Sequence, residues 1–191
     1  MKLRQVAPSK VLLLSLLATP HWASAFYLPG VAPTTYQEGD LVPLYVNTIR
    51  PVAGPDGSLH SVVSYDYYYP LFQFCQPEGG PKSVSESLGS ILFGDRIKTS
   101  PFELKMRKNE TCKRLCEVTY PKGAAVFVNQ QIASGISLNW LVDGLPAGQK
   151  IVDELTGTEF YNPGFLLGQE SPTDGQIQFN NHYDIIIEYH Q

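Results

Sequence analysis

Cysteine is scarce in this chain. Three residues among 191 permit one disulfide and leave one thiol over, so a fold held by many cross-links is excluded. Long apolar runs are scarcer still. Beyond residue 25 no stretch reaches 18 uninterrupted apolar residues, and nothing after that point reads as a membrane-spanning helix. Acidic residues are missing before Glu38, whereas Lys2, Arg4 and Lys10 precede the apolar run Val11 to Ala18, followed by Pro20 and the small residues Ala23, Ser24 and Ala25. That order of basic, apolar and small residues predicts a secretory signal peptide cleaved after Ala25. An apolar core of about eight residues is far short of the roughly 20 that a spanning helix needs.

Cleavage removes three basic residues and no acids, leaving 11 basic against 18 acidic side chains, formally minus seven, on residues 26–191. An acidic surface repels phosphates, so no nucleic-acid partner is expected. Recognisable reaction centres are missing too: there is no nucleophile elbow, metalloprotease helix, phosphate loop or cysteine with a plausible nearby histidine. His21, His60, His182 and His190 are too scattered to hold zinc. The expectation is a domain that acts by contact, with no enzyme activity, no metal and no cofactor.

What the chain does contain is 16 glycines and 15 prolines spread along its length, so turns recur between short segments that alternate apolar with polar residues. This predicts a mostly β fold, an antiparallel β-sandwich with one or two short helices, as a single domain over residues 26–191. The clearest strand is the last, with Tyr183, Ile185, Ile187 and Tyr189 on one side and Asp184, Ile186, Glu188 and His190 on the other. Phe102, Leu104 and Met106, and Leu138, Trp140 and Val142, repeat the period of two. Two segments read as helix. Ser85 can cap a turn carrying Leu88, Ile91 and Leu92 with Gly94 as its stop, and Val128, Ile132 and Ile136 recur every four residues from Ala124 to Ile136.

Several residues are candidates for chemistry or contact. Asn109-Glu110-Thr111 is an N-glycosylation acceptor in a polar stretch. Cys112 and Cys116, four apart, would lie about 6 Å from one another on a helical turn and could bridge. A bridge from Cys75 to either would close a longer loop and stabilise more. Tyr65, Tyr67, Tyr68 and Tyr69 could offer aromatic faces to a sugar or a partner, or could alternate into the core. Asp95 and Arg96 suggest a turn closed by their own ion pair. His182 and His190 would lie about 26 Å apart in an extended segment, and could each titrate as a compartment acidifies.

In order along the chain stand Phe26-Tyr27-Leu28-Pro29-Gly30, Gly39-Asp40, Leu44-Tyr45-Val46-Asn47, Tyr65-Asp66-Tyr67-Tyr68, Phe74-Cys75-Gln76-Pro77 and Gly94-Asp95-Arg96-Ile97. Cys112 with Leu115-Cys116, Val142-Asp143, Gly164-Phe165, Leu167-Gly168, Asn181-His182 and Tyr189-His190 follow. Together these strings resemble the amino-terminal lumenal region of the transmembrane-9 superfamily, the nonaspanins. The resemblance implies the lumenal domain of a Golgi or endosomal membrane protein that sorts membrane-protein cargo. It also implies a membrane-spanning bundle as a partner, a bundle absent from these 191 residues. A secreted glycan-binding module is the rival reading.

Overall fold

The computed structural model describes residues 34–53, 57–153 and 155–189; the predicted signal peptide with its cleavage site, and His190, lie outside them. Short strands dominate because proline, glycine and polar turns interrupt almost every apolar run. In chain order they are β1 (Leu41–Val42), β2 (Leu44–Val46), β3 (Arg50–Pro51), β4 (Lys98–Thr99), β5 (Leu104–Lys105), β6 (Ile136–Leu138) and β7 (Trp140–Val142). They continue as β8 (Leu145–Pro146), β9 (Gly148–Val152), β10 (Glu159–Pro163), β11 (Phe165–Leu166), β12 (Gly168–Glu170) and β13 (Ile177–Phe179). Two helices, α1 (Leu88–Leu92) and α2 (Lys122–Ala133), complete the set. All strand ladders are antiparallel, and the fold is mostly β and sandwich-like.

Two sheets carry the core. One runs β4-β2-β7-β8 and the other β11-β6-β3, and α2 packs with the β12–β13 hairpin beside them. Val46, Ile49, Phe72, Ile136, Leu138, Trp140 and Leu167 are buried where these elements meet, with Val128 and Ile132 of α2. Each large side chain so withdrawn from water contributes about 1.5–3 kcal/mol. The β9–β10 hairpin is exposed on almost every residue, tied by the Lys150–Glu159 pair at 2.7 Å. Among the described residues no helix is long and apolar enough to cross a membrane.

Several expectations change in detail. Leu138, Trp140 and Val142 do turn inward, yet they belong to two sheets. Asn139 breaks the run, its side-chain amide donating to the Thr48 carbonyl at 2.8 Å while its own carbonyl accepts from the Asn47 N–H. The α1 cap is Ser87, whose Oγ accepts from the Ser90 N–H at 3.1 Å, and not Ser85. Helix α2 buries Ala124, Val128 and Ile132 but ends before Ile136, because Gly135 at φ +73° turns the chain into β6. The segment read as the clearest strand is extended with Tyr183, Ile185 and Ile187 half-buried and their neighbours exposed. It joins no ladder among the described residues, since a period of two reports which side faces the core and does not supply a partner.

Candidate interaction surface

Tyr65 forms an isolated antiparallel bridge with Ile49, each N–H donating to the other's carbonyl at 2.9 Å, and the chain then turns through Tyr67 and Tyr68 to Tyr69. The Asp66 carboxylate accepts from the Tyr68 N–H at 3.0 Å and pairs with Lys98 Nζ at 2.7 Å, and the Tyr69 N–H closes back on the Asp66 carbonyl. Tyr67 is 4% exposed and stacks on Phe74 at 4.6 Å. Tyr65 packs edge-on against Phe72 and Phe127, both at 5.6 Å. The Tyr68 hydroxyl donates to the Thr99 carbonyl at 2.7 Å, and burial beside the negative Asp66 pushes its pKa up to about 12. Of the four candidate contact tyrosines only Tyr69 is exposed, at 38%, so the run is chiefly a core cluster. Burying apolar ring area outweighs presenting it once Phe72, Phe74 and Phe127 are close enough to cover it.

The cysteines pair otherwise than their spacing favours. Cys75 and Cys116 form the disulfide, Cα atoms 5.8 Å apart, and Cys112 is a free, exposed thiol. The Cys112–Cys116 bridge requires a helical turn, whereas Cys112 has φ +54° and residues 109–120 carry no helix. Asn109 is exposed, as a glycan acceptor must be. Asp95 pairs with Arg50 at 2.5 Å rather than with its neighbour, while Arg96 is exposed and gives its backbone N–H to Asn47 Oδ1 at 2.8 Å. His182 is exposed, 3.6 Å from Asp184.

One surface was not legible as such. Leu88, Ile91, Leu92 and Phe93 on and just after α1 are 73%, 55%, 77% and 84% exposed, and no charged residue falls between Ser87 and Gly94. The signal was present in that uncharged stretch, but the apolar spacing reads equally as a face turned inward. A five-residue helix is too short to bury four such side chains. The turn is held rigid from beneath: Arg50 Nη2 reaches the Phe93 carbonyl, and Asn47 and Arg50 both hold Asp95. A firmly anchored apolar tip is the arrangement of a contact site.

A second concave surface is a cleft of about 1910 Å³ bordered by residues 101–118 and 179–189. Tyr67, Phe102 and Trp140 lie along it. Trp140 packs tilted against Phe102 and edge-on against Phe165 and Tyr183 at 4.5–5.2 Å, and its indole N–H makes no hydrogen bond of normal geometry. Burial raises the pKa of the Tyr67 and Tyr183 hydroxyls, with the Trp140 indole opposing at Tyr67. Among the described residues no group of three His, Cys, Asp or Glu side chains is arranged to hold a metal.

Residues 64–191 match the family described as Endomembrane protein 70. The chain is 42% identical to Transmembrane 9 superfamily member 1 of Saccharomyces cerevisiae over 87% of its own length and 31% of the relative's. It is 48% identical to member 2 of that yeast over 75% of the chain and 23% of the relative. To human member 2 it is 32% identical, over 94% and 30%. The chain thus spans less than a third of the length of these relatives. No solved structure matches it.

Proposed function

Because this chain belongs to the endomembrane protein 70 family of the transmembrane-9 superfamily, we propose that it is the lumenal domain of a Golgi and endosomal membrane protein that binds and orients membrane-protein cargo during sorting. The observation that carries this reading is the family match over residues 64–191, in a family named for endomembranes and for membrane spans. The anchored apolar turn Leu88–Phe93 supplies a place for the contact. Its role is recognition rather than bond-breaking, with the signal peptide delivering the chain to the lumen and Asn109 carrying a glycan there.

The test is made in cells lacking the gene. Restoring the unaltered protein returns mislocalised membrane proteins to their compartments, read by quantitative surface labelling. The Leu92→Asp, Phe93→Asp variant reaches the same organelles, keeps its glycan and restores far less. Residence outside the Golgi and endosomes, or an unchanged surface protein population on gene loss, overturns the reading.

A further inference from the structure

We infer that the cleft bordered by residues 101–118 and 179–189 is the seat of a further extended strand, which pairs with the free edge of Tyr183 to Tyr189. The donor is a strand that polypeptides of this family carry outside the portion matched here. Both borders are edges in waiting. Residues 182–188 alternate exposed and half-buried as a strand does, yet among the described residues the backbone of 181–189 makes no hydrogen bond to another segment, and neither does that of residues 109–120. Unpaired backbone next to apolar side chains is a template for strand addition. The two borders are clasped at one end by Arg107, whose Nε donates to the Tyr189 hydroxyl at 2.9 Å and whose guanidinium lies 5.2 Å over that ring.

A second, independent observation points into the cleft. Trp140 is 3% exposed and borders the cleft, and its indole N–H, which favours the ionised form of the Tyr67 hydroxyl, makes no hydrogen bond of normal geometry. A buried donor left without a well-formed bond is unfavourable, and a carbonyl on an incoming backbone supplies one.

Charge decides what kind of strand fits. A second copy of this chain is the poorer fit: antiparallel self-pairing about Ile186, the register that matches the three isoleucines, sets Asp184 opposite Glu188 twice over, and like charges directly opposite are destabilising. The complementary donor is apolar through its middle, opposite Ile185, Ile186 and Ile187, with a basic residue on either side opposite Asp184 and Glu188. Ile186, 83% exposed, then meets an apolar neighbour. The relatives run to more than three times the matched length, and a donor on the same polypeptide benefits from a high effective concentration that a free partner lacks. This inference stands apart from the sorting reading.

The probe is the synthetic heptapeptide Val-Lys-Val-Val-Val-Lys-Val, added to the chain from residue 26 onward, in which Trp140 is the sole tryptophan. The peptide is expected to slow deuterium exchange of amides 184–188 at least tenfold and to shift the tryptophan emission. The same peptide with Glu for Lys does neither, and the Asp184→Lys, Glu188→Lys variant reverses that preference. Ile186→Pro abolishes protection and Ile186→Thr keeps it, which separates loss of the edge from loss of the fold. In whole-length Saccharomyces cerevisiae member 1 the seat is already filled, so the peptide leaves the matching segment unchanged. Absence of protection in the short chain, dimerisation through residues 183–189, or equal uptake by the whole-length relative each overturns the inference. All are read on purified protein, so none bears on cargo sorting.

Discussion

Asn47 carries more structural weight than its polar character suggests. It is 7% exposed. Its Oδ1 accepts from the Thr48 and Arg96 N–H groups at 2.7 and 2.8 Å, while its Nδ2 donates to Asp95 at 2.8 Å. Replacing it with alanine strands two amide donors, a loss of about 2–3 kcal/mol, read as a lower denaturant midpoint at unchanged slope. Asn47→Asp keeps the acceptor but sets a carboxylate against Asp95; adding Asp95→Asn is expected to recover more than half of that loss. The cysteines give a sharper contrast. The Cys75–Cys116 bridge spans a sequence separation of 41, so loop entropy assigns it about 4 kcal/mol. Cys116→Ser is expected to lose most of that in oxidising buffer, whereas Cys112→Ser, at an exposed free thiol, shifts stability by less than about 0.5 kcal/mol. Equal effects from the two would mean that the pairing is shared.

At the scale of elements, the sequence made burial legible and pairing illegible. Phe102, Leu104 and Met106 turn inward as their alternation predicts, yet only Leu104–Lys105 forms strand, against β1. A period of two is a property of one segment, while a ladder needs a second segment in register, which residues far along the chain supply. The same limit hid the tyrosine turn, where the pattern of aromatics is strand-like but Asp66 bends the backbone through its own side chain. It hid the disulfide too, since Cys75 reaches Cys116 only through the folded path between them. Close approach is likewise invisible until elements pack. At Gly168 an added Cβ would lie 2.3 Å from the Gln178 carbonyl oxygen and 2.8 Å from Ile132 Cδ1, where β12 pairs with β13 beside α2. The carbonyl belongs to the ladder and cannot move without breaking it. Gly168→Ala is therefore expected to cost about 1–3 kcal/mol or more, measured by thermal and denaturant unfolding. A neutral result would show that β12 and β13 separate freely from the helix.

The whole molecule is tuned by its tyrosines at alkaline pH. Tyr67, Tyr120 and Tyr183 all border the cleft, and burial raises each of their pKa values. The hydroxyls also feel one another: charge on Tyr183 and Tyr120 raises Tyr67 further, and charge on Tyr120 raises Tyr183. Tyr68, behind the same aromatic cluster, is pushed up to about 12. A group whose folded pKa lies above its unfolded value of 10.0 holds its proton more tightly when folded. Its contribution to stability is therefore complete below pH 10 and is lost as pH climbs through the folded value. Because four such groups share one region, losing one proton opens water access to the others, and the loss is expected to be cooperative. Unfolding followed by circular dichroism should begin above pH 10 and be complete near pH 12, with tyrosinate absorbance at 295 nm from these residues rising in step with it. Tyr183→Phe removes one of the coupled hydroxyls, along with its bond to the Asn180 carbonyl at 2.6 Å, and is expected to move the midpoint upward while lowering neutral-pH stability slightly. Tyrosinate that accumulates while the dichroism stays native would mean that the cleft admits hydroxide without opening, and the coupling between its ionisation and the fold would then have to be discarded.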